Sequence, residues 1–286
     1  MSSNKEVSVI SKEDEAKIAM ILGAKEAPNS GGSNARLPQL KTNAKRKDPQ
    51  GRKIEEGLFF LSGMDEPVYA EEVNIRVLSQ MFQWIHYDPE ENKVANKTLL
   101  IPNFRHEARD MQGSIRCGKP TSKELKDLPK AKQAEYKDIK CFRQLRVLVN
   151  YEGKDADGNA VTVENEPAIM LLKGSNFNPF EDEFTKALPR GANLYDYTAK
   201  VTAEENEQGS VVYWVMHFEP QLDAALPLDR KTFDTMTKLA EMIVSENQMI
   251  EASYKKSIRS AQEDDDAIEA LAGDLESDLE DDTVAA

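Results

Sequence analysis

Four lysines, Lys119, Lys123, Lys126 and Lys130, follow one another at steps of four, three and four residues. On a continuous helical path that spacing puts all four ammonium groups on one face, an arrangement able to track a phosphate backbone. An ordinary solvated helix face is the alternative. The row lies in the stretch from Arg105 to Arg146, which holds twelve Lys or Arg against six acids. The opposite imbalance stands near the C-terminus, where Glu263 to Asp282 holds eleven carboxylates and no Lys or Arg. That charge density reads as a solvated tail. Leu271, Leu275 and Leu279 recur every four residues within it, so it can turn helical against a partner. Of the formal net charge of −14, the tail supplies −11, the basic stretch +6 and everything else −9. A basic surface with an acidic segment able to cover it is the organising expectation; a purely solubilising tail is the alternative.

Aromatic side chains offer a second kind of chemistry. In MFQWIHY, strand alternation puts Phe82, Trp84 and His86 on one face and Met81, Gln83, Ile85 and Tyr87 on the other. Two aromatics on one face are either core or a stacking platform for bases. His86, His106, Cys117 and Cys141 have metal-ligand chemistry, but their spacings of 20, 11 and 24 match no standard zinc pattern. A core histidine, a surface histidine and two buried thiols are the plainer account. There is no Gly-rich phosphate loop, HExxH or GxSxG, so catalysis is not expected.

The elements that must position these groups follow from periodicity. Ser11 to Gly23 reads as a short capped helix, and Ala24 to Lys53 as a flexible arm ending in six basic residues. From Leu58 the chain reads as short strands, LFFLSG, EEVNIRVLSQ, MFQWIHY and NKTLLIPNF. SKELKDL and KAKQAEYKDI form two short helices in the basic insertion, with Pro129 at the first turn of the second. FRQLRVLVNY is the clearest strand: Leu145, Val147 and Val149 point one way, and Gln144, Arg146 and Leu148 the other. Asp157, Gly158 and Asn159 make its hairpin turn, and PAIMLLKG returns across the sheet. A second hairpin, LYDYTAKVTAEE with SVVYWVMHF, flanks the turn ENEQG. Asp229 to Ser260 is one long helix whose stripe runs through Phe233, Met236, Ala240, Ile243, Asn247, Ile250 and Tyr254. It suits docking on the body or pairing with a second copy.

The expected organisation is a flexible basic arm over 1–57, a β core over 58–228, a helix over 229–260 and a disordered acidic tail over 261–286. The core holds roughly seven or eight strands within about 160 residues, enough for one well-filled interior. No apolar run or leader points to export or a membrane, so a cytoplasmic protein with free thiols is expected.

In layout the chain resembles the single-stranded DNA-binding, helix-destabilising proteins of tailed bacteriophages. The features that carry the likeness are VNIRVL at Val73, the insertion RCGKPTSKELKDLPKAKQAEYKDIKCFR, the strands RVLVNY and AIMLLKGSNF, and the tail EALAGDLESDLEDD. The resemblance implies an OB-fold-like barrel with a partly helical basic insertion, acting in phage DNA replication, recombination or repair inside the infected host. Some relatives hold zinc in the insertion, where this chain has only Cys117, with His106 and Cys141 at its borders; no cofactor is expected. Carried onto this sequence, it implies phosphate contacts from Arg143, Arg146, Lys119, Lys123 and Arg116, and base stacking on Trp84, Phe82, Tyr151, Tyr195 and Phe177. The tail, through Leu271, Leu275, Leu279, Asp281 and Asp282, would compete with DNA and engage replication or recombination proteins. Self-association would run through the long helix or the N-terminal arm. The competing class is an acidic scaffold or DNA mimic.

Overall fold

The computed structural model describes residues 37–47, 51–112 and 122–281. The fold is mainly β, built on one eight-stranded sheet. Its strands are β1 (Gln39–Thr42), β2 (Phe59–Ser62), β3 (Glu72–Asp88), β4 (Lys93–Lys97), β5 (Ile139–Lys154), β6 (Ala160–Leu172), β7 (Thr198–Gln208) and β8 (Val211–Gln221). Among the described residues three α-helices accompany them: α1 (Ser122–Asp127), α2 (Lys130–Asp138) and α3 (Arg230–Asp281). Among the described residues no helix is long and apolar enough to cross a membrane.

The chain divides into two compact units. The first comprises the described residues up to Gln83, Leu100–Phe104 and Lys140–Ser245. Its strands run in the order β2-β1-β6-β5-β3-β7-β8, an open path with β2 and β8 at its edges. The main core fills one face with alternate residues of each strand: Val73, Ile75 and Val77 from β3, Leu145, Val147 and Val149 from β5, Ala168, Met170 and Leu172 from β6. Phe180, Phe184 and Phe218 close it, with Phe180 edge-on to Phe218 at 5.3 Å between centroids. Leu78 and Leu148 cluster with Phe233, Met236 and Leu239, so the opening turns of α3 dock on the sheet, as the stripe allows. Asp229 starts that helix by accepting the Thr232 amide at 2.7 Å.

β8 is an edge strand closed by side chains rather than by another strand. Asn176 accepts from the Met216 amide (2.7 Å) and donates to the Trp214 carbonyl (3.1 Å), reproducing the two-point pairing of a strand residue. Glu183 accepts the Phe218 amide at 2.7 Å and meets His217 Nδ1 at 3.0 Å. Both come from the run of tight helical turns after β6, Gly174–Asn176, Phe180–Phe184 and Thr185–Ala187.

The second unit comprises Trp84–Leu99, the described part of Arg105–Ile139, and α3 from Glu246 onward. Here the end of β3 pairs with β4, Lys97 meets Glu246 at 2.8 Å, Arg109 lies over the Tyr254 ring, and Ser257 donates to the Met111 carbonyl.

Several expectations are corrected. Gln39–Thr42, assigned to a flexible arm, is a core strand: Leu40 is buried, and β1 pairs with β2 and β6. EEVNIRVLSQ and MFQWIHY are one strand of 17 residues. The long helix does not stop at 260; its backbone continues to Asp281 through Leu271, Leu275 and Leu279, while Asp282 lies outside the described residues. The short helix expected at Ser11 also lies outside them.

Candidate nucleic-acid interface

Of the residues expected to touch phosphate, Lys123 is exposed on α1, while Arg116 and Lys119 lie outside the described residues. Of the row, Lys123 and Lys126 stand on α1 and Lys130 on α2, and these three do not share one continuous helix, because the helical path breaks at Leu128 and Pro129. Proline lacks the amide that would continue the ladder. What remains are two short helices bearing Lys123, Lys126, Lys130 and Lys137, all exposed. No ion pair with any described residue engages these four. Some lysines elsewhere are matched, Lys97 with Glu246, Lys186 with Asp182 and Lys200 with Glu72.

Arg143 and Arg146 are corrected outright, since each is only 2 % exposed and reaches no solvent phosphate. Arg146 shares its sheet face with Leu148, which α3 covers. Arg143 is held inside the first unit. Its Nη1 donates to Gln80 at 2.7 Å and to Glu181 at 2.9 Å, and its Nε is buried without a hydrogen-bond partner. Three rings surround its guanidinium: Phe177 at 5.0 Å, Phe82 at 5.2 Å and Phe180 at 5.4 Å. Cation–π contact and the Glu181 pair together offset the desolvation of the charge.

Phe104 completes the group. Its ring lies 5.2 Å from Phe82 and 5.6 Å from Phe177, the latter edge-on at 86°. Phe82 is buried, whereas Phe104 and Phe177 are half-buried. Phe177 is aimed by the turn before it, where Gly174 has φ of 56° and accepts the Phe177 amide at 3.1 Å. Glycine adopts that left-handed conformation without steric cost.

The structure thus brings together Arg143, Phe82 and Phe177 and leaves the other expected stacking residues apart. Tyr151 is buried in the main core, where its hydroxyl donates to the Val68 carbonyl at 3.2 Å. Burial, reinforced by Glu166, pushes its phenol up to about 12. Tyr195 packs beside the cluster under α3, and its carbonyl accepts from Arg76 Nε at 2.7 Å. Trp84 is half-buried in the second unit, its amide bonded to Thr98. Tyr151 thus offers no free ring face of the kind expected, and Tyr195, half-buried, lies apart from the Arg143 group.

No family model, curated protein or solved structure matches the chain.

Phe104, Phe180, Gln80 and Glu181 escaped the sequence reading. One signal was available: Phe104 in IPNF and Phe177 in SNFNPF each follow an asparagine in a polar loop just after an apolar run. Among the described residues no three His, Cys, Asp or Glu side chains gather as a metal site would need. Cys117 lies outside the described residues, and Cys141 is a free thiol that burial pushes up to about 12, against a smaller opposing pull from Arg143.

Proposed function

We propose that the chain binds single-stranded DNA with little sequence preference, serving replication, recombination or repair, and that its acidic C-terminal segment competes with DNA and recruits partner proteins. The observation that carries this reading is the set of four exposed, unpaired lysines on α1 and α2 in a chain whose net charge is −14. Cations left without carboxylates in so acidic a chain are positioned to take phosphates and release counterions. The half-buried rings Phe104 and Phe177 add the preference for single strands, because a duplex hides its bases inside the stack.

The test is fluorescence anisotropy of labelled oligo(dT) and of a matched duplex at several salt concentrations. Oligo(dT) is expected to bind more tightly, and truncation after Gln262 to tighten it further, most at low salt. Changing Lys123, Lys126, Lys130 and Lys137 together to Gln should flatten the slope of log K against log salt by about 3, at roughly 0.7 per lost phosphate contact. A chain that fails to bind oligo(dT) at low salt ends this reading, and the acidic scaffold takes its place.

A further inference from the structure

We infer that Phe104 and Phe177 form a subsite for one unpaired base, and that Arg143 is its positioning residue rather than a phosphate ligand; this rests on the single-strand reading above. Arg143 is buried to 2 % exposure and its charge is matched by Glu181, so a phosphate at the surface meets no free guanidinium. The group acts instead on the rings. Gln80 and Glu181 fix Nη1, and the guanidinium then lies against Phe82, Phe177 and Phe180 at 5.0 to 5.4 Å. Phe177 is thereby held edge-on to Phe104, with both rings half-buried. A ring already immobilised loses little freedom when a flat heterocycle lies on its face, and the second ring, edge-on to the first, then borders the edge of that base, which is the economy a stacking subsite requires.

Glu181 belongs to the same run of turns as Phe177, so the ion pair ties the ring-bearing segment to β5. Arg143→Lys keeps the charge but loses the planar fork and its broad contact with the rings. Phe177 is then free to rotate, and base binding suffers while phosphate binding does not.

The experiment uses the full chain with two probes of equal length, oligo(dT) and an abasic deoxyribose-phosphate oligomer. The wild type should prefer oligo(dT), and Phe177→Ala should erase roughly 5- to 150-fold of that preference, the range for one stacked base. Arg143→Lys should weaken oligo(dT) alone, with abasic binding and the salt slope unchanged. Phe177→Trp reports the subsite with Arg143 intact: its emission, over that of Trp84 and Trp214, should be quenched by oligo(dT) and not by the abasic probe. The inference is overturned if Phe177→Trp stays silent while the chain binds oligo(dT), or if Arg143→Lys flattens the salt slope as a lost phosphate contact would. A chain that binds neither probe refutes the single-strand reading itself, and the subsite with it.

Discussion

Gly57 is the position where one methyl group should do most harm. Its φ is 85°, in the left-handed region, and its amide donates to the Asn43 carbonyl at 2.7 Å. A Cβ built there falls 2.4, 2.5 and 2.7 Å from three carbons of the Trp214 ring. Asn176 holds the Trp214 backbone through its carbonyl, so relief must come from rotation of the ring itself. Gly57→Ala therefore incurs two penalties. The left-handed backbone costs an alanine about 1–2 kcal/mol, and forcing an extra carbon into a packed contact costs about 1–3 kcal/mol. Together they predict a loss of about 2–5 kcal/mol. Urea unfolding followed by circular dichroism measures it, and a double-mutant cycle separates the two parts. In a Trp214→Leu background the steric part should vanish, leaving about 1–2 kcal/mol for the backbone. If Gly57→Ala costs the same in both backgrounds, the contact with Trp214 contributes nothing and the reasoning fails.

Three further outcomes are expected. The folded pKa of Tyr151, about 12, exceeds the ordinary 10, so its contribution to stability is complete below pH 10 and disappears as pH rises through 12; alkaline unfolding of Tyr151→Phe should lack that portion of the pH dependence. Backbone hydrogen bonding from Thr232 holds Asp229 below the usual carboxylate range, so its capping contribution is present above pH about 4 and lost as pH falls through the folded value. Asp229→Ala should cost about 1 kcal/mol at neutral pH and progressively less in acid, measured by denaturant titration. Cys141, with a thiol pushed up to about 12, should resist iodoacetamide at pH 8 in the folded Cys117→Ser protein and react fully after denaturation; mass spectrometry counts the adducts.

β5, β6 and the pairing of both hairpins were legible because their alternation is local, whereas β3 was read as two strands. FRQLRVLVNY behaves as read, with Leu145, Val147 and Val149 in the core, and the Asp157-Gly158-Asn159 turn stands where its residue types place it. The second hairpin turns later, at Gly209 and Ser210, since Glu205, Asn206 and Glu207 pair with Trp214, Tyr213 and Val212 instead of looping. A polar run reads as a loop when the strand that pairs with it is not yet placed. β1 was missed for a similar reason: only Leu40 in QLKT is apolar, and its strand character comes from β2 and β6. Of the candidate site, residue types indicated cations and rings but not their depth. Arg143 and Arg146 lie on strands that later elements cover, and charged side chains are buried only when partners far along the chain, such as Glu181, meet them.

Closing β8 with Asn176 and Glu183 has a consequence for how copies of this chain behave in a crowd. An open sheet offers its outermost amides and carbonyls to any passing strand and so templates its own aggregation. Between Trp214 and Phe218 the Trp214 carbonyl and the Met216 and Phe218 amides are already bonded to side chains, and at the other end of the path β2 is only four residues long. At the tip of β8, exposed Val211 and Val212 stand opposite Gln208 and Glu207, where a carboxylate acts as gatekeeper. That leaves fewer open amides and carbonyls along β8 with which a neighbouring copy's strand could pair.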